Sequence, residues 1–212
     1  MSENSRPRVL PLLLVAALLT LVVTVVRLVG ELNAWDANWF DSTAGSPLCP
    51  FGIAWLVPVF GFLFGRRLAR AGSGAKFVPG FFVPMFAWLA LVFGLGYVAT
   101  QHEGDQMRDG FTYLFVVGPI LSLLALFVWP RAFVVCLAYG LLARLPVAMA
   151  QYLDVHNGWQ THYGRVYEGL GIGAADERLW FLTQAQAGIW LPLTVLLGCG
   201  FAAIGAATVR RG

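Results

Sequence analysis

Apolar residues fall along this chain in long blocks separated by short polar segments. A membrane-spanning helix needs about 20 mostly apolar residues at 1.5 Å rise each. Six stretches fit that pattern: about Val9 to Val29, Leu48 to Gly65, Phe77 to Thr100, Phe111 to Trp129, Arg131 to Gln151 and Leu179 to Val209. The second is the shortest and contains Pro58, which predicts a kink, because proline lacks a backbone donor and crowds the preceding turn. Pro84, Pro119, Pro146 and Pro192 repeat the feature in the later stretches. The first stretch follows Arg6 and Arg8, as a signal peptide would. It is too long for a signal core and no small-x-small cleavage site follows it, so it reads as an uncleaved helix.

Composition supports the same class. Hydrophobic residues make up 58% of the 212 positions and charged residues 12%, against about 45–50% and about 25% in soluble domains. With a mean hydropathy of +0.72, a water-soluble globule and a disordered chain are both excluded. The expected fold is all-α: a polytopic transmembrane bundle of six spans, one integral membrane domain over residues 1–212.

Charge sets the expected orientation. Arg and Lys collect in short cytoplasmic loops. With the N-terminus inside, that side holds Arg6, Arg8, Arg66, Arg67, Arg70, Lys76, Arg131, Arg210 and Arg211, and the outside only Arg108, Arg165 and Arg178. Both termini are therefore expected in the cytoplasm. Ten of the eleven acids sort to the other face: Glu31, Asp36, Asp41, Glu103, Asp105, Asp109, Asp154, Glu168, Asp176 and Glu177. The inner loops are too short for a nucleotide-binding domain. Two longer external segments remain, residues 30–47 and 152–178. Trp35, Asp36, Trp39 and Asp41 in the first, and Trp159, Tyr163 and Glu168 in the second, mark the expected external surface. Trp at headgroup depth is also ordinary interfacial anchoring.

Arg144 is the sharpest candidate residue. It lies 13 positions beyond Arg131, roughly 20 Å along a helix, and an intramembrane cation is costly enough to suggest a function. It reads as a counter-charge for an anionic lipid headgroup, a substrate or an acidic partner. A structural ion pair with an outer carboxylate, or hydrogen bonds to carbonyls of kinked helices, accounts for it without a ligand. Arg27 is expected to snorkel to the headgroups with Glu31 four residues on; convergence of Arg27 and Arg144 on one anion is the alternative. His102, His156 and His162 are all external, and with Asp154 they offer the ligand types of a zinc site. A bis-histidine haem is also chemically conceivable. No HExxH, CxxC or GxSxG pattern supports these sites, so no cofactor is indicated and ordinary surface histidines suffice. Cys49, Cys136 and Cys199 have no metal-ligand or disulfide spacing.

Small residues at four-residue spacing (Gly61 and Gly65; Ala90 and Gly94; Gly198, Ala202 and Ala206) predict close helix packing, within the bundle or onto larger partners. The leading expectation is a non-enzymatic accessory or scaffold subunit of a larger bacterial-type inner-membrane complex, with an acidic external docking surface. Its expected partners are the bilayer, other membrane subunits and a basic external protein, with no nucleic acid. A small transporter or lipid-handling protein with an outer-leaflet anion site at Arg144 is the second reading. A membrane metalloenzyme or haem protein is the third.

Overall fold

The computed structural model describes residues 9–42, 49, 51–165 and 170–209. These residues form helices and connecting turns, with no strand among them. In chain order the helices are α1 (Val9–Leu32), α2 (Leu56–Arg70), α3 (Phe77–Gln101), α4 (Gly104–Val128), α5 (Pro130–Asn157), α6 (Ala175–Ala185) and α7 (Leu191–Ala207). A π-helical turn, Gln186–Trp190, joins α6 to α7 without a break. Five helices are long and apolar enough to cross a membrane: α1, α3, α4, α5 and the continuous rod Ala175–Ala207.

α2 departs from the predicted span. It begins at Leu56 rather than Leu48 and has 15 residues, about 22 Å at 1.5 Å per residue. The chain before it makes tight turns instead, with Gly52 N donating to the Cys49 carbonyl at 2.7 Å and Leu56 N to the Ile53 carbonyl at 3.2 Å. The kink expected at Pro58 is absent for the same reason. Pro58 falls in the first turn of α2, where its missing N–H has no intrahelical acceptor to lose.

α5 runs six residues past its predicted end, to Asn157. Asn157-Gly158 is a helix C-cap rather than a free turn. Gly158 adopts the left-handed conformation, with φ 65°, and its N–H returns to the Asp154 carbonyl, a common way for helices to stop. Asp154 is thereby placed on a helix, not in a loop. The last span begins at Ala175, and its π turn ends two residues before Pro192. A proline there cannot donate to the Gly188 carbonyl and would press on it, and widening the turn relieves that clash. The freed Gly188 carbonyl rests against α4 where Gly118 has no side chain.

α7 is the hub. Of the apolar window in Ala175–Ala207, 67% is buried within the protein, against 22% in α1, α3 and α4. α2, α3, α4 and α5 all pack against α7, α2 most extensively. The small-residue faces make this possible. Gly61 and Gly65 of α2 lie against the backbone of Gly198 and Ala202, and Gly205 against Phe62, so closely that a Cβ at Gly61, Gly65 or Gly205 would collide with a main-chain carbonyl. The third predicted face is only half used: Gly94 meets Leu114 of α4, whereas Ala90 is exposed. Around α7 the main core gathers Leu56, Phe60, Phe64, Leu68, Phe133, Tyr139, Val195 and Leu196.

Gly65→Val should destabilise the protein by about 3 kcal/mol or more, at the upper end of core overpacking. Gly96→Ala should be neutral, because nothing lies within 4 Å of its position. Thermal unfolding of the two variants in one detergent checks the contrast.

Candidate functional site

Two polar centres interrupt the apolar interior. The first surrounds Arg144, near the middle of α5. Its Nη2 donates to Thr194 Oγ1 of α7 at 2.8 Å, and its Nη1 to Gln186 Oε1, the first residue of the π turn, at 3.4 Å. The guanidinium lies 5.8 Å from the ring centroid of Trp190, the last residue of that turn. Thr194 passes its own proton to the Trp190 carbonyl at 2.8 Å, so its oxygen is oriented to accept from arginine. Gln186 and Thr194 are buried. Arg144 Nε is sealed from solvent and has no partner among the described residues. The expected pairing with an outer carboxylate is not formed: every described group that meets this guanidinium is neutral.

The second centre is a cap built where α1 and α5 end. On α1, Thr20, Thr24, Arg27 and Glu31 follow at helical spacing and form one inward stripe. Thr20 Oγ1 and Tyr139 Oη of α5 are 3.2 Å apart. Tyr163 Oη donates to the Thr24 carbonyl at 3.2 Å. Arg27 Nε donates to Glu31 Oε1 at 2.8 Å, and its Nη2 to the Asp41 carbonyl at 3.0 Å. The other Glu31 oxygen accepts from the His162 backbone N–H at 2.8 Å, and His162 Nδ1 lies 2.5 Å from Glu31 Oε1. Asp154 holds the same loop from α5. Its Oδ2 accepts from the Thr161 N–H at 3.0 Å and, in a short contact, from the Thr161 hydroxyl. Asp154 Oδ1 presses on Gly164, where a side chain would not fit. Arg165 Nη1 reaches Ser42 Oγ at 3.3 Å, joining the loop after α5 to the loop after α1.

These placements correct several expectations. Arg27 does pair with Glu31, but at 4% exposure it does not snorkel to headgroups; the 33–42 segment and the 159–165 loop cover it. It shares no protein partner with Arg144. Asp154 and Tyr163 are buried at 0% and 5% rather than external, because the helix end carries one and the folded loop tucks the other against Val147 and Ala150. Trp35, Asp36 and Trp39 are exposed, and Asp41 and Trp159 are half-buried. Asp36 is engaged locally by Asn38, whose backbone and side-chain amides reach Oδ1 at 2.9 and 2.8 Å. Glu168 lies outside the described residues. His102 sits edge-on to Tyr97, and His156 stacks on Tyr152. Among the described residues no group of three or more His, Cys, Asp and Glu side chains could hold a metal ion, so His102, His156, His162 and Asp154 do not assemble the proposed zinc set.

Sequence reading missed the inward stripe of α1. The spacing of Thr20, Thr24, Arg27 and Glu31 carried the signal, a polar face on an otherwise apolar helix. Gln186 and Thr194 were also missed, since each is an isolated polar residue in an apolar run. Comparisons of the chain with protein-family models, with curated proteins and with solved structures found no match.

Burial pushes the His162 imidazole below its ordinary value, against the pull of Glu31 beside it. The folded state then holds His162 neutral, while an unfolded chain takes up the proton below about pH 6.5. The cap's stability is present above that pH and is lost as pH falls through the lower folded value. Thermal stability should therefore drop below about pH 6.5, and His162→Gln should flatten that dependence. Melting curves of both proteins between about pH 5 and 8 test this; an unchanged slope in the variant would show that another group is responsible.

Proposed function

We propose that this chain is a small multi-pass membrane protein that receives an anionic group at Arg144, as a transporter or lipid-handling protein does. The carrying observation is the guanidinium that meets only neutral partners and keeps one sealed N–H unpartnered. A cation at bilayer depth costs about 2.5–3.5 kcal/mol on insertion scales, and neutral hydrogen bonds from Thr194 and Gln186 leave its charge unbalanced. An incoming phosphate or carboxylate supplies the missing charge and an acceptor for Nε. The adjoining π turn supports the reading, since such turns recur at functional sites.

In this reading the protein sits in a bacterial-type inner membrane with six passes, α2 and the turns before it making the second. Both termini face the cytoplasm, and Arg144 serves the outer leaflet. The reading does not require an enzymatic step. The accessory-subunit reading has less to stand on, because the small faces of α2 and α7 are turned inward on each other and two acids of its docking surface, Glu31 and Asp154, are buried.

Native mass spectrometry of protein released gently from its own membrane should find a bound anionic species. Arg144→Gln should weaken its retention by at least about tenfold, the scale of a lost charged hydrogen bond, with folding intact. Arg144→Lys should restore it in part, as lysine keeps the charge but not the fork of donors. Equal retention in Arg144→Gln, or loss of folded protein together with the ligand, would overturn the proposal.

A further inference from the structure

The opposite end of the bundle carries a separate site. The α2 residues Leu63, Arg66, Arg67 and Arg70 follow at three- and four-residue spacing and share one helical face. That face looks across a cleft of about 500 Å³ at Pro11, Leu12 and Val15 of α1. The cleft exists because α2 packs chiefly on α7 and only lightly on α1. Its floor and far wall are apolar, and its mouth is cationic. Arg70 is exposed, and Arg66 is half-buried with its guanidinium 5.8 Å from the Phe62 ring centroid. Every described carboxylate lies on a segment at the other end of the molecule. A larger cleft on the other side of α2, about 900 Å³, shares Arg70 but has no other charged wall residue.

From this arrangement we infer that the α1–α2 cleft binds one anionic phospholipid from the leaflet at the basic end. An acyl chain lies along Leu12, Val15 and Leu63, and the phosphate sits on Arg66 and Arg70. Both halves of the ligand are needed to match the cleft. A free phosphate leaves the apolar walls bare, and a zwitterionic lipid brings its own ammonium to the arginines. Basic pockets between helices on a cytoplasmic face bind anionic headgroups by this chemistry. In the orientation proposed above, this is the inner leaflet, so the site is distinct from Arg144 in both position and ligand source.

The test adds dioleoylphosphatidylglycerol or dioleoylphosphatidylcholine to the purified full chain in detergent and follows lipid adducts by native mass spectrometry. One phosphatidylglycerol should be retained in preference to phosphatidylcholine. The double variant R66Q/R70Q should weaken that adduct by about tenfold or more. Leu63→Trp, which fills the cleft without changing charge, should weaken it as well, and its unchanged melting temperature separates lost binding from lost folding. Arg131→Gln removes a charge at the same end outside the cleft, and should leave the adduct within about twofold. Four outcomes overturn the inference: equal retention of the two lipids, an R66Q/R70Q adduct like that of the parent, an Arg131→Gln loss as large as the double variant's, or displacement by millimolar glycerol 3-phosphate. Because Arg144 is intact in R66Q/R70Q, failure here leaves the Arg144 reading standing, and failure there leaves this one standing.

Discussion

The close approach of backbones along α7 governs the rest of the structure. In lipid the hydrophobic effect gives helices little reason to associate, so packing contact and internal polar bonds must hold them together. α7 meets this demand with Gly198, Ala202 and Gly205, which admit α2 until main chains touch. Thr194 is fixed by the same packing, one turn above Gly198 on the same rod. The position of the hydroxyl that meets Arg144 is thus set by residues with almost no side chain. The π turn follows from Pro192 in the same helix, and it brings both Gln186 and Trp190 to the guanidinium.

The cap answers a different constraint. Every polar group at the ends of α1 and α5 that is removed from water needs a partner. α1 satisfies its inward stripe stepwise. Thr20 and Thr24 bond back to carbonyls four residues earlier, at 2.8 Å each. Arg27 and Glu31 then pair with each other and with loop atoms on both sides. Glu31 is the keystone: one carboxylate faces Arg27, the His162 backbone and the His162 ring. Removing one member of such a buried cluster strands the others, so these loops fold as part of the bundle rather than as appendages.

The helical class and most of the long helices were legible because apolar run length is a strong signal. The errors fell where run length says nothing. Residues 51–55 are apolar enough to extend α2, yet they turn, since hydropathy does not register backbone direction. Asn157-Gly158 is a pattern that turns and helix ends share, and here it ends α5. Asp154, expected on the outer face, therefore sits on a helix end in a buried clasp with Thr161. Charge counting sorts acids by membrane side and says nothing of burial, and Glu31 and Asp154 are buried because each has donors held against it. Arg144 was found from cost alone, but its partners were not, because Gln186 and Thr194 become neighbours of Arg144 only through the packing of α7 on α5.

The two basic sites differ in how the protein leaves their charge uncompensated. At Arg66 and Arg70 the guanidinium groups lie at the rim of a cleft, where water and lipid phosphate compete to solvate them and little energy is stored. At Arg144 the charge lies within the bundle, where three neutral groups hold its orientation but do not cancel it. The geometry is also directional: Thr194 and Gln186 occupy the two terminal nitrogens, so an anion approaching Nε meets a guanidinium already fixed in place. A ligand bound there would tie α5 to the rod through Arg144 at the one turn of that rod whose hydrogen bonds are already irregular. On the proposed reading, Pro192, which enforces that turn, belongs to the site as much as the arginine does.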